Sequence, residues 1–158
     1  MIIEPPSLLS TGEDLAFRET LQGRFEPEGY RTLLASDGEE ALSIVRSKEV
    51  HVLLLDMHMP KLTGLETLRL VKQFKAMLPC IILSAQVDDG LIEQARRARA
   101  FTVLSKPVTR RQVTLSVRLA LERTYNWHGR RPGEKPVDLQ PPITDLRLPD
   151  SPFDADEP

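Results

Sequence analysis

Four kinds of chemistry-bearing side chain stand just after short apolar runs. Asp56 follows residues 50–55, Ser84 follows residues 80–83, Lys106 comes two places after residues 101–104, and Glu13 and Asp14 come shortly after residues 7–11. Singly, an Asp after an apolar run is an ordinary turn or cap residue, and a Lys-Pro pair is an ordinary turn. Jointly, carboxylates, a hydroxyl and an ammonium are delivered from four separate runs. Two close carboxylates repel unless a cation or a proton lies between them. Mg²⁺ is a hard cation that takes one or two carboxylates plus water and phosphate oxygens. A Lys ammonium neutralises a phosphoryl group as a point charge. The set therefore suits phosphoryl transfer onto an aspartate, with a nucleophile, a metal and an electrostatic clamp.

The elements that must position these groups alternate strictly. Residues 7–11 are a weak strand candidate. Residues 14–25 carry Phe17, Leu21 and Phe25 at fourfold spacing, one apolar helical stripe that Pro27 and Gly29 end. Residues 30–35 read as a strand, and Asp37 caps the next helix with Glu40 at the capping-box position. Residues 50–55 run apolar without polar alternation, as a parallel strand covered on both faces does. Pro60 interrupts, a helix fills residues 64–75, and residues 80–83 form a second fully apolar strand. Residues 88–99 are helical, residues 101–104 a short strand, and Thr109 with Gln112 caps a last helix that presents Val113, Val117 and Leu121. Five strands alternating with five helices predict an α/β fold, a doubly wound parallel sheet with right-handed crossovers. In such sheets the site lies beyond the carboxyl ends of the strands, where the four groups stand.

Composition sets the outer limits. The chain has 158 residues, and 21 Lys plus Arg against 23 Asp plus Glu leave a net charge of -2. That balance argues against nucleic-acid binding through a general electrostatic field. The single cysteine, Cys80, excludes an internal disulfide and any multi-cysteine metal site, and reads as a buried core thiol. No apolar run has membrane-spanning length and the first residues do not read as a signal peptide, so a cytoplasmic location is expected. His51, His58 and His128 are too scattered for a metal pattern. Residues 1–128 are expected to form the folded domain. Residues 129–158 hold seven of the 13 prolines, with seven acids against four bases, and are expected to be a disordered or extended acidic tail.

At the level of motif, the sequence resembles the receiver (response-regulator) domain family of two-component signalling. The matching stretches are residues 35–42, the run Leu53-Leu54-Leu55-Asp56-Met57-His58-Met59-Pro60 with Gly64, residues 81–85, and Leu104-Ser105-Lys106-Pro107. Together they cover nearly the whole body. The resemblance implies a flavodoxin-like receiver fold of single-domain type, with Asp56 as phosphoacceptor. It implies that Lys106 holds the phosphoryl oxygens, through a Lys106–Pro107 bond that is often cis. Ser84 is then the hydroxyl that follows the phosphoryl group on activation. Mg²⁺ is implied as cofactor, held by Glu13, Asp56 and the backbone carbonyl of His58. The side chains of His58 and Gln86 would influence how long the phosphoryl group lasts. The implied partners are a sensor histidine kinase or phosphotransfer protein upstream and a protein target downstream, with no direct nucleic acid and no membrane. Such a chain is a signalling module rather than an enzyme.

The departures from the family pattern are specific. The first of its two metal-site acids falls on Gly12, which should weaken Mg²⁺ binding. Its Asp before Gly64 is Thr63. Its aromatic switch position is Val103, for which Phe101, two residues earlier and on the same face of a regular strand, is a possible substitute. Gly12 and Val103 motivate an alternative, a pseudo-receiver that docks partners without phosphorylation. An aspartate-nucleophile phosphatase would need a second acid two residues after Asp56, where His58 stands. Arg96, Arg97, Arg99, Arg110, Arg111 and Arg118 make a basic set on the last two helices. It reads either as a solvated face or as a partner or homodimer surface through helix four, strand five and helix five. Tyr125, Trp127 and His128 either pack back on the domain or continue toward a partner.

Overall fold

The computed structural model describes residues 5–12 and 14–127. Glu13 and the proposed tail lie outside the described residues, as does the Phe17 side chain. The chain runs β1 (Ser7–Thr11), α1 (Leu15–Phe25), a 3-10 turn (Glu26–Glu28), β2 (Arg31–Ala35), α2 (Gly38–Ser47), β3 (Val52–Asp56), α3 (Gly64–Phe74), β4 (Cys80–Ser84), α4 (Asp89–Arg97), β5 (Thr102–Ser105) and α5 (Arg110–Tyr125). The five strands form one parallel sheet in the order β2-β1-β3-β4-β5. The predicted doubly wound sheet is therefore the observed one.

Strand periodicity divides the core in two. Leu9, Leu53, Leu55, Ile82 and Val103 face α2, α3 and α4, where they meet Ala41, Val45, Leu65, Leu68, Val71 and Ala95. Leu8, Val52, Leu54, Ile81, Leu83 and Leu104 face α1 and α5, where they meet Leu21, Phe25, Val113, Val117 and Leu121. Both faces of β3 and β4 are covered, which is why their sequences are apolar without alternation.

The weak strand candidate, β1, is buried along its whole length despite its polar content, since it lies between β2 and β3. Its first residue is tied by a histidine: Ser7 donates its N–H to His51 Nδ1 at 2.9 Å, and His51 Nε2 lies 2.7 Å from Glu49. His51 is thus a structural residue. Tyr125 completes this corner, donating its hydroxyl to the His51 carbonyl at 2.9 Å while the two rings meet edge to face. Trp127 packs its ring 5.4 Å from that of Tyr30. Of the terminal aromatics, Tyr125 and Trp127 pack back on the domain, and His128 lies outside the described residues. Tyr125→Phe keeps the ring and loses one hydrogen bond, an expected cost of about 1 kcal/mol in a urea melt.

Burial also makes the fold sensitive to alkali. The Cys80 thiol, fully buried in β4, is pushed up to about 12 by desolvation. Burial likewise raises Tyr30 and Tyr125 to about 12. These groups ionise in the unfolded chain near their ordinary values of 9.0 and 10.0. Their contribution is whole below those values and is lost as pH rises toward about 12. Denaturant melts from about pH 8 to pH 11 should show falling stability, and Cys80 should resist alkylation until the protein unfolds.

Candidate functional site

Parallel pairing brings the strand ends to one edge. Thr11 stands opposite Leu55, Asp56 opposite Leu83, and Ser84 opposite Ser105. Asp56 and Lys106 continue the alternation that turns Leu54 and Leu104 toward α1 and α5, and so share a side. Across 50 residues of chain, Lys106 Nζ reaches Asp56 Oδ2 at 2.7 Å. The other carboxylate oxygen, Oδ1, accepts the backbone N–H of His58 at 3.1 Å. The Asp56 side chain keeps 14% exposure and that of Lys106 32%, so the pair sits at the rim, open to an incoming group. The Lys106–Pro107 peptide is cis, as the resemblance implied.

The loop after β3 is held from several directions. Met57 donates its N–H to the Leu83 carbonyl and Gly64 donates to the Met57 carbonyl. Thr63 and Glu66 close a full capping box on α3, whose N–H bonds from Thr63 hold the Glu66 carboxyl below its ordinary range. Lys61, in the left-handed region at φ 69, spans to Asp37 at 3.5 Å and Glu39 at 3.4 Å at the start of α2. This clamp was not read from the sequence, because an exposed Lys after a Pro carries no sign of partners more than twenty residues away. The Asp37 carboxyl is held below its usual range chiefly by the N–H of Glu40, and Lys61 is raised by Asp37 and Glu39.

Ser84 is 1% exposed and its hydroxyl is engaged locally. It donates to the Gln86 carbonyl at 3.0 Å and accepts the Gln86 N–H at 3.2 Å, a closed turn. The expectation that Phe101 shares a face with Val103 is corrected. Val103 is buried against α3 and α4, whereas Phe101 packs on the α1–α5 side with the Arg123 guanidinium 5.8 Å from its ring centre. Strand alternation begins only at Thr102, so it does not extend back to Phe101. Phe101 therefore does not stand in for an aromatic residue at position 103.

For a divalent cation the donor set is thin. Among the described residues, no group of three or more His, Cys, Asp or Glu side chains is placed to hold a metal ion. Asp56 supplies one carboxylate. At Gly12, where a second would enter, a side chain would place its Cβ 3.2 Å from Asp56 Cβ. One carboxylate is the low end of what Mg²⁺ accepts, so these residues fit a weak site.

The geometry matches a known family. The model of the response regulator receiver domain fits residues 10–118, which hold Asp56, Ser84 and Lys106. The chain belongs to that family. Among relatives of this receiver, the transcriptional regulatory protein ZraR of Klebsiella oxytoca is 30% identical over 149 residues, 94% of this chain and 32% of ZraR. The chain spans between a third and about half of the length of the curated relatives it matches. Among solved structures, the receiver domain of the Francisella response regulator 1452 superposes with a TM-score of 0.71 at 27% identity, covering 75% of this chain and 98% of that one. CheY of Borrelia burgdorferi, solved with CheX, BeF3 and Mg²⁺, gives 0.70 at 26% identity over 75% of this chain and 90% of its own. The receiver is thus a module of two-component signalling, and such modules are generally not enzymes. Among the described residues no helix is long and apolar enough to cross a membrane.

Proposed function

We propose that this receiver takes a phosphoryl group on Asp56 from a phosphohistidine of a sensor histidine kinase or phosphotransfer protein in the cytoplasm. The observation that carries the reading is the Asp56–Lys106 pair at 2.7 Å on the open edge of the sheet. A carboxylate oxygen of Asp56 bonds to phosphorus as the phosphorus–nitrogen bond breaks, and the electron pair returns to the imidazole. Lys106 balances the charge gathering on the phosphoryl oxygens, which is the largest service a side chain gives such a step. Bound Mg²⁺ would supply further neutralisation of those oxygens, with Asp56, the His58 carbonyl and Glu13 as its holders. Ser84 then leaves Gln86 for the phosphoryl group, and the β4–α4 loop moves with it. The output is a change in protein–protein contacts, with the basic α4–β5–α5 face as the surface for a downstream target or a second copy.

Intact-protein mass spectrometry after incubation with acetyl phosphate and Mg²⁺ tests the reading. The expected result is a gain of one phosphoryl group. No gain from acetyl phosphate or from a phosphohistidine donor overturns it. Such a result would favour the pseudo-receiver, a phosphorylation-independent docking module, which the thin metal site and the buried Val103 support.

A further inference from the structure

The end of β1 passes so close to the Asp56 carboxylate that a side chain there would crowd it. Gly12 is buried and its backbone is fixed, its N–H donating to the Ala35 carbonyl at 3.1 Å. A Cβ at this position would lie 3.2 Å from Asp56 Cβ and 3.3 Å from Asp56 Oδ2. Oδ2 is the oxygen that Lys106 holds at 2.7 Å. Any residue other than glycine must press Asp56 away by a few tenths of an ångström, on the side where the ammonium binds.

We propose that Gly12 is a positioning residue that makes Lys106, rather than a divalent cation, the resting counter-ion of Asp56. The inference rests on the reading of Asp56 and Lys106 as the reacting pair, and it concerns how that pair is charged before a phosphoryl group arrives. One carboxylate and one ammonium make a neutral pair. A cation entering beside Asp56 meets a carboxylate whose charge Lys106 already balances, and it faces the Lys106 ammonium. An acid at position 12 changes both terms. It adds a second negative charge that an intervening cation relieves, and its bulk loosens Oδ2 from Lys106. Gly12 thus lowers Mg²⁺ affinity by composition and by shape together. Binding of Mg²⁺ is then coupled to arrival of the phosphoryl oxygens, which supply the missing anionic ligands.

The test is a Mg²⁺ titration of the full chain without phosphodonor, followed through the His58 backbone amide by NMR. Parent, Gly12→Asp, Gly12→Asn and Lys106→Met are compared. Gly12→Asp should bind Mg²⁺ at least about tenfold more tightly than the parent, from the added charge. Gly12→Asn, of equal bulk without the charge, should gain less. Lys106→Met should also tighten binding, because the competing ammonium is gone. Equal affinity in parent and Gly12→Asp would overturn the proposal and assign the second anionic ligand to Glu13. If Gly12→Asp does not fold, the Lys106→Met arm decides: unchanged affinity there sinks the counter-ion role. Because no phosphodonor is present, failure here is separate from failure to gain a phosphoryl group in the mass measurement.

Discussion

Asp56→Ala protein, incubated with acetyl phosphate and Mg²⁺ until the parent is labelled, should show no mass gain. The reacting oxygen is gone, and no other carboxylate has an equivalent place among the described residues: Asp56 is the acid that Lys106 reaches at the strand ends. Loss of the nucleophile removes the step itself, so the effect is abolition rather than a slower rate. Folding does not confound the result. Lys106 keeps 32% exposure at the rim and can turn to water when its partner is lost, so the variant is expected to fold. A thermal melt of the variant close to the parent's, together with unlabelled protein, is the expected outcome. Labelling of the variant to the parent's extent would show that another residue is the acceptor.

Gly64→Ala should cost about 3 kcal/mol in a denaturant melt and slow phosphoryl uptake as well. A Cβ on Gly64 would sit 2.6 Å from the Asp56 carbonyl oxygen, 2.9 Å from Met57 Cα and 3.0 Å from the Asp56 carbonyl carbon. All three are backbone atoms, which cannot swing aside as a side-chain tip does. Relief requires α3 to lift from the end of β3, but the Gly64 N–H is bonded to the Met57 carbonyl at 2.9 Å and the Thr63–Glu66 box holds the first turn. The displacement therefore falls on Asp56, whose Oδ1 depends on the His58 N–H and whose Oδ2 depends on Lys106. A melt within about 0.5 kcal/mol of the parent would show that the loop yields and that the glycine is not sterically required.

The fold was legible because its signals are local. Unbroken apolar runs at residues 52–55 and 80–83 identify strands covered on both faces. Thr109 with Gln112 marks the start of α5, and both members of that box are in place. β1 was harder, because Ser7, Ser10 and Thr11 look like an exposed segment. Its burial follows from its place between β2 and β3, which composition does not encode. The boundaries of β5 slipped by one residue, and Phe101, outside the strand, does not share the alternation that places Val103.

For the site, residue order and spacing by themselves determined which groups can meet. Asp56 and Ser84 end their strands and Lys106 follows one, and a parallel sheet sends every strand end to the same edge. The sequence likewise determined that position 12 bears no acid. Only the tertiary structure decided how those groups are engaged. It set Lys106 on Oδ2, turned the Ser84 hydroxyl to Gln86, and passed the backbone of Gly12 close enough to Asp56 that a side chain would displace it. The reason is one of scale. Strand and helix patterns arise between neighbours a few residues apart, whereas these contacts join residues as far as 50 apart, and their distances are set by the packing of the whole sheet.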